Sequence, residues 1–168
     1  MFNSLSVLAQ ENNFSFGLSM EKNKNDESVG LNFTSPYFKK SFALRFAANF
    51  HKFDYVLQGE EKIKQSEYFS FRLGYTRRFP KITEVIYPYF NGGVIGVIPH
   101  KYFSGQKFQA GPYINLGLEA FPQNYKRLGY FVETGFVALY DSKNERGVDS
   151  KEYAYMQFAF GLRHYFGK

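Results

Sequence analysis

The side chains in this sequence that could do chemistry are its three histidines, a scattered set of arginines and glutamates, and a few cations in hydrophilic stretches. His51, His100 and His164 could each act as a general base if a serine stood within hydrogen-bond reach and an acid oriented the ring. Arg45, Arg72 and Arg163 could meet Glu119 and Glu133. Such a set either relays protons or ions through an enclosed space or locks that space with salt bridges. Buried charges persist only when paired and hydrogen-bonded, so the locking role is favoured. Lys62, Lys64, Lys143 and Arg146 could contact phosphate groups, with solvated surface charge as the ordinary alternative.

Other chemistries are missing. The chain has no cysteine, which excludes a disulfide scaffold and a thiolate metal site. No phosphate-binding loop or helical His pair is present, and the aspartates are too dispersed for a calcium loop. Gly92, Gly93 and Gly96 lack the Lys-Ser or Lys-Thr ending and following helix of a phosphate loop, so they read as strand geometry: a bulge, a bend or a crowded interior. No cofactor is implied. The formal charge of +6 is spread along the chain instead of forming a basic stripe, so nucleic acid is not an expected partner.

The elements that must position these groups are strands. Residues 153–166 alternate: Ala154, Met156, Phe158, Phe160, Leu162 and Phe166 share one parity, and Tyr153, Tyr155, Gln157, Ala159, Gly161, Arg163 and Tyr165 the other. A period of two puts the sets on opposite faces. The apolar set is bulky, while the other mixes small residues with an amide and a guanidinium. That composition is poor for a soluble core but suits a barrel whose outside meets lipid and whose inside is polar. The same alternation recurs over 13–20, 28–35, 41–53, 67–79, 87–98, 107–120 and 128–140, which predicts eight strands. The segments 21–27 and 54–66 read as polar connections. Pro112 within its strand removes a ladder hydrogen bond and suggests the membrane rim.

The last strand, alternating aromatics up to Phe166, resembles the C-terminal signal of bacterial outer-membrane β-barrels, in which an aromatic residue ends the protein; here Gly167 and Lys168 follow it. The inward charges likewise resemble the filled interior of small barrels of the outer-membrane protein A and X type. What the resemblance implies is an all-β, eight-stranded, antiparallel, up-and-down transmembrane barrel in the cell outer membrane. Its partners would be outer-membrane lipid and lipopolysaccharide, and a host or surface partner met through outer loops at 54–66 and 141–151. A monomer is expected. Some eight-stranded outer-membrane barrels deacylate lipid A with a His, Ser and Glu set. Their local His-x-Ser pattern is absent here, so a lipid-modifying enzyme is an alternative and not the favoured reading.

A further alternative is a soluble lipocalin-like barrel with the apolar parity turned inward. One domain over 1–168 is expected, with 1–12 as a flexible lead. The opening residues carry a short apolar patch but no basic region, so they do not match the export-signal pattern.

Overall fold

The computed structural model describes residues 13–23, 26–38, 41–56, 63–98, 108–122, 127–141 and 153–166. They form eight strands: β1 (Phe14–Asn23), β2 (Asp26–Thr34), β3 (Phe42–Val56), β4 (Ile63–Arg78), β5 (Ile86–Ile98), β6 (Gln109–Ala120), β7 (Leu128–Asp141) and β8 (Tyr153–Phe166). Each pairs antiparallel with the next, and β1 returns to β8, closing the barrel. Closure satisfies every strand edge, which matters wherever water is not available to hydrogen-bond an exposed backbone.

The alternation read from the sequence is the alternation of the wall. On β8, Phe158, Phe160 and Leu162 are 56%, 57% and 41% exposed, whereas Arg163 is 0% exposed. Leu18, Leu31, Leu44, Leu73, Leu116 and Val132 repeat the outward pattern around the barrel. The interior is lined by Asn32, Asn49, Asn115, Thr34, Thr76 and the charged groups. The lipocalin alternative fails on this arrangement, because the apolar parity faces out and the apolar residues that do face in, Ile95, Val97, Val137 and Leu139, are packed together with Tyr113. Phe14 stacks on Phe33 at 5.5 Å near the ends of β1 and β2, where an interfacial girdle belongs.

Several strands run further than expected. Residues 21–23 belong to β1, and β2 starts at Asp26, so the polar segment 21–27 is mostly ladder, with Glu21 paired to Ser28 and Asn23 to Asp26. Likewise β3 and β4 continue to the Val56↔Ile63 pair, which turns most of 54–66 from connection into strand. The first extension is polar on both faces, and the second mixes Tyr55, Val56 and Ile63 with Asp54, Lys64 and Gln65, so neither carries a clean period-two signal. Only residues 24–25 and 57–62 of those segments lie outside the described residues.

The register between β4, β5 and β6 is continuous through Gly92, Gly93 and Gly96. No bulge exists there. These glycines mark crowding: a Cβ on Gly93 would lie 2.2 Å from the Leu73 carbonyl oxygen and 2.4 Å from Gly74 Cα. Pro112 faces outward opposite Val94, and the β6–β7 pairing passes from Ala110↔Tyr140 to Tyr113↔Val137 without it. At one end of the barrel, Pro36, Pro80 and Pro122 mark the connections, held by backbone bonds such as Phe79 N–H to Pro88 O at 2.9 Å and Phe121 N–H to Val85 O at 2.8 Å. We call this the proline end and the opposite one the loop end.

Candidate functional site

Eight strands enclose a lumen just wide enough for side chains to fill, so the candidate site is the lumen itself. Three layers of charge stack along it. Nearest the proline end, Glu119 accepts from Arg78 Nη2 at 2.6 Å, Arg163 Nη1 at 3.0 Å and the Tyr165 hydroxyl at 2.7 Å. The Arg78 guanidinium also lies 4.5 Å from the Tyr37 ring centroid and 5.1 Å from that of Tyr87. Aromatic faces are favourable neighbours for a desolvated cation.

In the middle layer Glu133 accepts from Arg45, from the Tyr89 hydroxyl at 2.6 Å and from Asn115 Nδ2 at 3.1 Å. Arg163 Nη2 stands 3.9 Å from the same carboxylate, so Arg163 links the two layers. Toward the loop end Arg72 grips Glu21 with two bonds, of 2.6 and 2.7 Å, and donates to Gln157 Oε1 at 2.8 Å. Gln157 Nε2 then donates to Asn115 Oδ1 at 2.8 Å. One chain of hydrogen bonds, bridged at a single step by the 3.9 Å Arg163–Glu133 ion pair, therefore runs from Glu21 to Arg78 through the interior. The two-point guanidinium–carboxylate contact is the strong, geometrically specific form of ion pair.

Of the residues singled out from sequence, Arg45, Arg72, Arg163, Glu119 and Glu133 all point into the lumen and join this chain. Two members were not among them. Arg78 was visible on the polar parity but close to a proline, and Glu21 sat in a segment read as a turn. The alternation already turns Arg78 inward, and one more inward position on the first strand reaches Glu21. Lys62, Lys143, Arg146 and His100 lie outside the described residues, and for Lys64 only its backbone place in β4 is described. His164 faces outward, its ring 4.7 Å from that of Phe166.

His51 differs from the other histidines. It is buried at the loop-end side of the lumen, with Nδ1 3.2 Å from Asp26 Oδ2 and Nε2 2.7 Å from Ser70 Oγ. The Tyr68 ring stacks on it at 4.2 Å and 8°, and the Tyr68 hydroxyl donates to Asp26. A search for a local His-x-Ser pattern could not find this grouping, because the three residues come from β2, β3 and β4 and only the register brings them together. Among the described residues no cluster of His, Asp and Glu could hold a metal ion.

No family model matches the chain, and no curated protein matches its sequence. Solved structures do share the fold. The N-terminal β-barrel domain of Pseudomonas aeruginosa OprF aligns with a TM-score of 0.61 at 12% identity, over 93% of this chain and 98% of that one. The outer membrane protein OprG from Pseudomonas aeruginosa aligns with a TM-score of 0.60 at 12% identity, over 95% and 98%. A structure from the de novo design of transmembrane β-barrels aligns at 0.56 with 11% identity, over 92% and 96%. The chain thus has the architecture of small transmembrane barrels, natural and designed.

Proposed function

We propose that this chain is an integral protein of a bacterial outer membrane, a monomeric barrel with a structural or surface-interaction role exercised through its loop end. The observation that carries the reading is an apolar belt wrapped around a charge-paired polar interior. Water would penalise the belt, whereas hydrocarbon accommodates it and leaves the closed ladder with no unpaired edge. A filled lumen argues against a pore as the main role, which leaves the connections beyond the strands to meet other molecules.

The loop end faces outward in this reading. It carries the connections 24–25, 57–62, 99–108 and 142–152, of which the last two are the longest in the chain, while the proline end closes through turns tied by backbone bonds. Barrels of this kind put short turns on the inner side and longer loops outside. Lys62, Lys64, Lys143 and Arg146 would then meet phosphates of lipopolysaccharide, each contributing about 1 kcal/mol near an anionic surface.

Orientation is tested by adding trypsin to intact cells carrying the exported protein. Cleavage within 57–62 or 142–152, with the barrel retained in the membrane, is expected; cleavage confined to 79–85 or 121–127 overturns the orientation. The cations are tested by replacing all four with Gln and titrating the refolded protein against lipopolysaccharide vesicles. Weakening of at least tenfold is expected, and unchanged binding removes them from the proposal.

A further inference from the structure

The grouping around His51 is more than another lumen ion pair, because its connectivity is ordered. A carboxylate accepts hydrogen bonds and cannot donate one, so the 3.2 Å contact to Asp26 sets the proton on His51 Nδ1 and leaves the Nε2 lone pair facing Ser70 Oγ at 2.7 Å. An acid fixing the tautomer of a His whose other nitrogen faces a serine hydroxyl is the arrangement that activates a serine nucleophile. Tyr68 holds the assembly from two sides, stacking on the His51 ring and donating to Asp26.

The surroundings point to a reacting group as well. Asn49 is the register partner of Ser70 and Ser28 that of His51. Asn49 Oδ1 and Ser28 Oγ are buried without a hydrogen-bond partner, and the Asn49 amide nitrogen reaches only Glu21, at 3.5 Å. Polar atoms so deeply buried are ordinarily satisfied, and here they flank the serine–histidine pair. On the Asp26 side of His51 a cavity of about 10 Å³, room for about one water, is bordered by Glu21, Asp26, Ser28, His51 and Tyr155 and not by Ser70. The Asp26 side chain, 15% exposed, reaches solvent at the loop end.

We propose that Asp26, His51 and Ser70 form a nucleophile site, on the loop-end side of the lumen, that cleaves small water-soluble carboxylic esters. Ser70 Oγ adds to the ester carbonyl carbon as its proton passes to His51 Nε2. Collapse breaks the bond to the alcohol, which leaves with the proton from His51, and acyl-Ser70 remains. Water then adds through the same base, releasing the acid and restoring the hydroxyl. The site faces the lumen and not the lipid, so its substrate enters from the aqueous side, and acyl chains of membrane lipids do not reach it.

The test uses the full chain refolded in detergent and a fluorophosphonate probe, whose fluoride is displaced by an activated serine. One adduct per chain is expected, mapped to Ser70 by peptide mass spectrometry. It is lost in Ser70→Ala and slowed roughly 10²- to 10⁴-fold in His51→Asn, the usual range for a general base. Asp26→Asn also slows it, and heat-modifiable migration establishes that each variant is folded. A folded wild type that takes no adduct, an adduct that survives Ser70→Ala, or labelling indifferent to His51→Asn would each overturn the site. Turnover of p-nitrophenyl acetate without turnover of the palmitate ester is expected; the reverse overturns the substrate class. None of these readouts depends on which way the barrel lies in a membrane.

Discussion

Glu119 illustrates how much rests on single side chains in this interior. It is fully buried and receives two guanidinium groups and a phenol. Glu119→Ala leaves Arg78 with only the Tyr165 hydroxyl and its aromatic neighbours, and Arg163 with only the more distant Glu133. Removing one partner of a buried pair typically costs about 3–5 kcal/mol, and a loss of that size is expected in urea titrations of the protein folded in lipid vesicles. On the outer surface the logic inverts. Phe160 faces hydrocarbon between Met20 and Val132, and Phe160→Arg should cost about 2–4 kcal/mol in the same titration, whereas Phe160→Leu should be nearly neutral. The inward or outward placement of these residues was legible in the sequence because parity alone decides it. Their partners were not: Glu21 and Arg72 are 51 positions apart, and Asp26 and His51 are 25 apart. Such pairs depend on strand stagger, which parity does not contain.

Among the elements, β8 was readable to the residue, from Tyr153 to Phe166, because its alternation is broken only by His164 and hydrophilic residues bound it on both sides. The β1–β2 and β3–β4 hairpins were underestimated where their ladders leave the apolar belt, since beyond it apolar and polar residues no longer alternate cleanly and the period disappears. The crossing of β4 and β5 is the tightest place for which a sequence cue existed. Gly74 and Gly93 are directly paired, and each lacks the Cβ that would strike the other strand's backbone. Gly93→Ala should force these strands apart, at a cost of roughly 1–3 kcal/mol for overpacking. The expected readout is a reduced yield of the heat-modifiable folded band. Ala48 is exposed and faces outward opposite Leu31 and Phe71, and Ala48→Val serves as the control.

At the scale of the whole molecule, the bonded chain from Glu21 to Arg78 decides what the barrel cannot do easily. Ions crossing the lumen would have to part guanidinium–carboxylate contacts that are almost wholly shielded from water. Planar bilayers holding the wild-type protein should therefore show no steady conductance, and Arg72→Ala, which unties Glu21 and Gln157 together, should admit intermittent openings. Sustained wild-type currents would mean that the interior rearranges in a bilayer.

The seam between β1 and β8 sets Phe14 directly against Phe166. The polypeptide is thus topologically a ring with a single nick. Its beginning and finish could be spliced together and the circle reopened at 79–85 with all eight pairings intact, because the wall has no privileged first strand.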